Sequence, residues 1–323
     1  MVKEKKKHPL LKGLLGTAAA GTAAYAGASY YVFRGIFDQN HTLLKVNLED
    51  ISAGRQRYAE WFAETGHEEL FTEAYDGLKL HAILLRHYPE DHRWFVPVHG
   101  YLSSSLDMLG FIYEAHRRGY NVLAPDLRAC GLSEGKYTGM GWPEHYDLVT
   151  WISKIIQIDP QAEIMLLGAS LGGTVVMNTI GDYLPANVKC AVDDSGFSDL
   201  KEVLLYHIEK LTGLNGEYIM PGLDLLVRQN LHYAMQEVST KRQLKQSRIP
   251  LMIIHGENDT IVPVRMGYDC YYATNAPKEL WVVPECGHVQ ASGQPEYFEK
   301  IFAFADRHMD TVKTAEAEAL KAE

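Results

Sequence analysis

Residues 168–173 read Gly168-Ala169-Ser170-Leu171-Gly172-Gly173, a serine with a glycine two positions away on either side. The apolar run Ile164-Met165-Leu166-Leu167 comes just before it, so residues 163–167 read as a buried strand. Leu171–Tyr183 reads as a helix. A serine on the sharp turn between a strand and a helix has strained backbone angles, and side chains at the flanking positions would collide there. The turn also places Ser170 at a helix start, near N–H groups that lack intrahelical partners and near the positive end of the helix dipole. The pattern predicts a nucleophile. A serine hydroxyl is weak alone, so a base must take its proton.

Where a serine sits on such an elbow, the acid and then the histidine follow it along the chain. Of the 14 histidines, only His288 and His308 lie beyond residue 255. His308 falls in the final helix, whereas His288 follows a strand at 280–283 in the loop Pro284-Glu285-Cys286-Gly287-His288. His288 is therefore the expected base. The acid must orient the imidazole and stabilise its charged form. A strand at 250–254 leads into His255-Gly256-Glu257-Asn258-Asp259, and Asp259 is the chosen acid. Glu257, Asp193 and Asp194 compete for the role, and Asp259 has a second reading as the cap of the next helix. The developing oxyanion needs two N–H donors. The backbone of Leu171 supplies one, and Tyr101, in His99-Gly100-Tyr101 after a strand at 94–98, supplies the other.

Positioning these residues takes a regular scaffold. Strands are expected at 70–75 and 78–88 around the turn residues Asp76-Gly77, then at 94–98, 121–124, 163–167, 188–192, 250–254 and 280–283. Helices are expected at 51–64, 105–118, 143–156, 171–183, from about 264, and at 296–308. Such alternation implies an α/β architecture, a mostly parallel central sheet with helices on both faces. In sheets of this kind, ligands bind beyond the carboxyl ends of the strands. Asp199 to about Arg248 holds no clear strand and reads as a small helical cap over the site.

From about Leu70 to Met309 the chain resembles the α/β-hydrolase superfamily, in the branch of bacterial membrane-anchored esterases and serine-aminopeptidase-like hydrolases. The matching residues are His99-Gly100, Asp126-Leu127-Arg128, Gly131-x-Ser133-Glu134-Gly135, Gly168-x-Ser170-x-Gly172-Gly173, Gly256-x-x-Asp259-x-x-Val262-Pro263 and Gly287-His288. Tyr137 to Trp151, with Gly139-Met140-Gly141-Trp142, fits the same branch. The family usually has Gly-His after the arginine, where this chain has Ala129-Cys130, and that departure bears on the shape of the pocket. Cys130 reads as an ordinary buried thiol. The resemblance implies a serine hydrolase that cleaves carboxylic esters through an acyl-enzyme on Ser170. The alternatives are a peptidase or amidase on the same triad, and a non-catalytic, membrane-tethered relative. Leu204, Leu205, Leu211, Leu225 and Leu226 in the cap hint at an apolar small-molecule substrate, although the same leucines also suit cap packing.

A net charge of -10 argues against nucleic acid as a partner, since binders of phosphate backbones carry a basic face. No metal or cofactor is expected, because the chain has no His-Glu-x-x-His and no nucleotide-binding glycine loop. The four cysteines form no Cys-x-x-Cys pair, and whether Cys270 and Cys286 join is left open.

Lys3, Lys5, Lys6, Lys7 and Lys12 crowd the N-terminus, and Gly13 to Phe33 follows without a charged residue. At about 1.5 Å per residue a helix of that length matches a bilayer core of about 30 Å. The leading expectation is a single-pass anchor in the cell membrane. The positive-inside rule puts the N-terminus in the cytoplasm and the catalytic domain outside. Two other readings stand. One is a signal peptide cleaved near Ala24 and Ala26, giving a secreted protein. The other is a helix docked on the domain or on a partner, as in a cytoplasmic protein. Thr17 with Gly21, and Ala23 with Gly27, have a spacing that lets two anchors approach closely. The expected organisation is a basic N-terminus (1–12), an apolar helix (13–33), a connector with a helix (34–69), a hydrolase domain (70–309) with its cap at about 199–248, and a tail (310–323). The oligomeric state is open.

Overall fold

The computed structural model describes residues 9–41, 48–213 and 215–310. Among them are helices α1 (Pro9–Phe37) and α2 (Leu48–Thr65), followed by strands β1 (Glu68–Glu73), β2 (Lys79–Leu85) and β3 (Arg93–Val98). Next come α3 (Leu109–His116), β4 (Asn121–Pro125), α4 (Pro143–Ile158), β5 (Glu163–Ala169), α5 (Leu171–Thr179) and β6 (Val188–Asp194). The remainder is α6 (Leu200–Thr212), α7 (Met220–Leu231), α8 (Thr240–Leu244), β7 (Leu251–Gly256), α9 (Arg265–Ala273), β8 (Lys278–Val283) and α10 (Tyr297–Asp306). The strands form one sheet in the order β1-β2-β4-β3-β5-β6-β7-β8. The β1–β2 and β2–β4 pairs are antiparallel and the other five are parallel. The hairpin β1–β2 turns at Gly77, whose φ of +85° is open to glycine at no steric cost.

Period-two alternation sends neighbouring side chains of a strand to opposite faces of the sheet, and both faces are covered. Trp94, Val96, Ile164, Leu166 and Ile253 face one core with Leu148, Trp151 and Ile152 of α4 and Val175 and Val176 of α5. Phe95, Met165, Leu167, Val192 and Ile254 face the other core with Ile112 of α3 and Ile301, Phe302 and Phe304 of α10. Every residue of β5 is buried, which is why its sequence shows no polar alternation. Each such aliphatic side chain stabilises the fold by roughly 1.5–3 kcal/mol.

Between β6 and β7 the described residues form α6, α7 and α8 and no strand. Asp199 starts α6, its carboxylate accepting from the N–H groups of Lys201 and Glu202 at 3.1 and 3.3 Å. Gly213 ends it with φ +68°. Leu204, Leu223 and Val227 are buried, but Leu211 and Leu225 are exposed, so those two leucines say nothing about an apolar pocket. All four cysteines are buried, unpaired thiols, and Cys270 and Cys286 do not join.

The N-terminal expectation is corrected. Among the described residues, no helix is long and apolar enough to cross a membrane. The run at 13–33 lies within α1, but it consists largely of Ala, Gly, Thr and Tyr, with only Leu14, Leu15 and Val32 as large aliphatic residues, too few for a membrane span. The last turns of α1 are instead packed on the protein, with Phe33 and Phe37 fully buried and Ile36 nearly so, while Tyr30 and Tyr31 face outward. The single-pass anchor, the signal-anchor reading and the topology drawn from them, with the N-terminus cytoplasmic and the catalytic domain outside, fall together. The lysines at positions 3, 5, 6 and 7 and the tail at 311–323 lie outside the described residues.

Candidate active site

β5 delivers Ser170 into a turn with φ +55° and ψ -119°, a backbone state that residues with side chains rarely adopt. The glycines around it are required by close approach. A Cβ on Gly168 would lie 2.1 Å from the carbonyl oxygen of Gly172, and one on Gly172 would lie 2.1 Å from that of Val98. Backbone atoms cannot yield as a flexible side chain can. Gly172→Ala is therefore expected to push α5 off the end of β3 and cost more than about 4 kcal/mol, seen as a large fall in thermal midpoint. A midpoint within a few degrees of wild type would refute this account of the turn.

His288 stands on the loop after β8. Its Nε2 is 2.7 Å from Ser170 Oγ, and its Nδ1 is 2.7 Å from Asp259 Oδ2. A carboxylate only accepts, so Nδ1 carries the proton and the Nε2 lone pair faces the serine hydroxyl. The other oxygen of Asp259, Oδ1, accepts from the N–H groups of Ile261 and Val262 at 2.8 and 2.9 Å. These bonds lie within the loop before α9, which begins only at Arg265, so Asp259 does not cap that helix. Burial alone would raise the Asp259 carboxyl, but the bonds from His255, His288 and Val262 outweigh it and hold the group below the usual carboxylate range.

The competing acids are engaged elsewhere. Asp193 Oδ1 accepts from the Gly196 N–H at 2.9 Å, and burial pushes its carboxyl up to about 8. Asp194 accepts from the Tyr297 and Ser195 hydroxyls at 2.8 and 2.9 Å. Glu257 receives a long 3.5 Å bond from the Glu285 N–H. His308 lies beyond α10, which ends at Asp306.

On the other side of the serine, Gly100 lies so near that a Cβ on it would be 3.3 Å from Ser170 Cβ. The loop holding Gly100 and Tyr101 is set by His99. Its Nε2 accepts from the Leu127 N–H at 2.9 Å, which leaves Nδ1 to donate to the Gly100 carbonyl at 2.8 Å. Burial lowers the tendency of this imidazole to take a second proton, although its bond to Gly100 opposes the effect. Arg128 makes a paired contact with Asp147 at 2.8 and 2.7 Å. Ala129, where the family pattern has glycine, sits at φ +63°, a region that favours glycine. Cys130 Sγ accepts from Gln39 Nε2 at 2.7 Å, and burial raises its thiol to about 12, away from nucleophilic character.

Two features were not singled out in the sequence. His255, at the end of β7, lies behind the acid. Its Nε2 donates to the Val262 carbonyl at 2.8 Å and is 3.4 Å from Asp259 Oδ2. Its place four residues before Asp259 was the available signal. The second feature is a brace behind His288. The Val289 N–H donates to Ser195 Oγ at 3.3 Å, and Ser195 is tied in turn to Asp194 and Tyr297. Nothing in the sequence marks it.

A family model described as the alpha/beta hydrolase fold matches residues 93–219, a stretch that includes Ser170 but ends before Asp259 and His288. The solved structure of the Pyrococcus furiosus esterase Pf2001 is similar with a TM-score of 0.62 at 23% identity, over 83% of this chain and 97% of that one. Acetyl xylan esterase 1 from Thermoanaerobacterium sp. is similar with a TM-score of 0.54 at 17% identity, over 80% and 93%. Among curated proteins, the uncharacterized protein YqkD of Bacillus subtilis is 24% identical over 218 residues, 67% of this chain and 72% of its own. The uncharacterized protein YfhR of Escherichia coli is 23% identical over 215 residues, 66% and 64% respectively. At these identities the structural likeness is one of fold.

Proposed function

We propose that this chain, which has the α/β-hydrolase fold, is a serine hydrolase cleaving carboxylic esters through an acyl-enzyme on Ser170. The observation that carries the reading is the run of two 2.7 Å contacts, Ser170 to His288 and His288 to Asp259, with the serine on a strained turn. In the proposed reaction Ser170 Oγ attacks the ester carbonyl while His288 Nε2 takes its proton. The N–H groups of Leu171 and Tyr101 hold the oxyanion. His288 then gives its proton to the departing alkoxide, which leaves as the alcohol. Water, deprotonated by His288, attacks the acyl-enzyme, and the acid departs as the proton returns to Ser170.

The choice of ester over amide draws on the esterases among the similar structures. It is an analogy of fold, and a peptidase on the same three residues is the second reading. The test is labelling of the full chain by a fluorophosphonate probe together with hydrolysis of p-nitrophenyl esters of graded acyl length. Labelling and turnover are expected, and the series then reads out the acyl preference. Labelling with peptide but no ester turnover would favour the peptidase. A folded chain that neither labels nor turns over ester or peptide would leave a non-catalytic relative.

A further inference from the structure

Helix α1, outside every motif that drew attention to chemistry, ends against the loop proposed to hold the oxyanion. The last carbonyls of a helix lack intrahelical partners. Here the Ile36 carbonyl accepts from the Tyr101 hydroxyl at 2.7 Å, and the Phe37 carbonyl accepts from the Thr138 N–H at 2.9 Å. Phe33 and Phe37 lock this end in place. Both are fully buried, stacked at 5.0 Å, and Phe33 meets the Tyr137 ring edge-on at 5.1 Å.

Further back, the same helix meets α7. The Gly222 N–H in the first turn of α7 donates to the Tyr25 hydroxyl at 2.9 Å. A Cβ on Gly222 would lie 2.2 Å from Ser29 Oγ, and Ser29 is 2% exposed. Glycine inside a helix weakens it, so its presence here matches a need for close approach. α1 thus spans from the helices inserted before β7 to the loop beside Ser170. That loop needs holding, since Leu102 follows Tyr101 at φ +58°. Such a state persists where its surroundings impose it. His99 fixes one side of the loop and α1 fixes the other.

We propose that α1 is a positioning element of the active site: by holding the Tyr101 hydroxyl on the Ile36 carbonyl, it places the Tyr101 N–H where the oxyanion forms. The inference rests on the serine-hydrolase reading and on the role given there to Tyr101. A helix that only stabilises the fold would affect melting. A helix that places a donor acts on the transition state, and so on kcat rather than KM.

The experiment compares wild type, Ser170→Ala, Tyr101→Phe, Gly222→Ala and Gly222→Ala with Ser29→Gly, in the full chain, by ester turnover and thermal midpoint. Tyr101→Phe keeps the ring and the N–H and removes only the hydroxyl. Its kcat is expected to fall about tenfold, short of the hundred- to thousandfold seen when a donor is lost outright, with KM within about twofold of wild type. Its midpoint should stay near that of wild type. Gly222→Ala pushes on α1 from a distance and should lower kcat in the same way, and Ser29→Gly should restore it by removing the clash. A Tyr101→Phe variant with wild-type kcat overturns the inference, as does a loss confined to KM or to the midpoint. Wild-type ester turnover that survives Ser170→Ala, or a folded wild type that shows no ester or peptide turnover and no fluorophosphonate labelling, sinks the serine-hydrolase reading and this inference with it. Turnover that vanishes in Ser170→Ala but is unmoved in Tyr101→Phe sinks this inference alone.

Discussion

Ser170→Ala should lose about a millionfold in ester turnover and all labelling by a fluorophosphonate. That is the scale on which a serine enzyme suffers when its nucleophile is removed while its binding surfaces remain. The site explains why so small a change should cost so much. Ser170 is the atom aimed at by His288, and the turn that holds it is built around that aim, with glycines admitted where any Cβ would meet backbone. Alanine fits the same turn, since Ser170 already tolerates a Cβ at φ +55°. The variant should therefore fold with a thermal midpoint close to that of wild type, and stability cannot account for the loss. Residual turnover of a few per cent or more in Ser170→Ala, measured on the best ester of the graded series, would mean that another group does the work.

The second large effect is expected from Asp259→Asn, at about ten-thousandfold in kcat, the scale known for the same change in a serine protease. The hydrogen bonds around Asp259 say how it should arise. Oδ1 accepts two backbone N–H groups, from Ile261 and Val262, so the asparagine carbonyl oxygen will stay there. Its NH2 group must then occupy the place of Oδ2, facing His288 Nδ1. A donor at that point requires Nδ1 to accept, which puts the imidazole proton on Nε2, where it meets the Ser170 hydroxyl. The base is then in the wrong tautomer with its position nearly unchanged. An Asp259→Asn variant within tenfold of wild-type kcat would remove Asp259 from the mechanism and return attention to Asp194 and Glu257.

The pH behaviour of this acid follows from the direction of its shift. Its folded carboxyl titrates below the ordinary range, because the bonds from His255, His288 and Val262 favour the anion more than burial opposes it. A group lowered in the folded state contributes stability above its unfolded value and loses it as pH falls through the folded one. Asp259 accordingly stays ionised well into the acid range. A loss of turnover on mild acidification would therefore not be assigned to Asp259.

The meeting of Ser170, Asp259 and His288 was legible as positions in the sequence because each follows an apolar run short enough to be a strand. Parallel strands carry the residues after them to one edge of a sheet. Contacts that cross between elements without a periodic signal were hidden. His255 ends a strand like any core residue, and only the fold shows that its ring turns toward Asp259. Helix α1 departs from the anchor that the sequence suggests for a related reason. A stretch without charges looks the same whether it is covered by lipid or by protein, and Gly13 to Phe33 combines an absence of charge with a scarcity of large aliphatic side chains. Phe33, Ile36 and Phe37 point to protein, but sequence spacing does not say what they touch.

The antiparallel hairpin at one end of the sheet bears on how copies of this chain keep apart. β1 is an edge strand, with backbone groups along one side open to any strand that approaches. Glu68, Glu69 and Glu73 lie along it, all exposed, among its six residues. A second copy docking edge to edge in a register that opposes these glutamates would set like charges against each other, which is unfavourable. The strand that starts the sheet is thereby disfavoured by charge as a template for another edge, a protection that weakens as salt screens it.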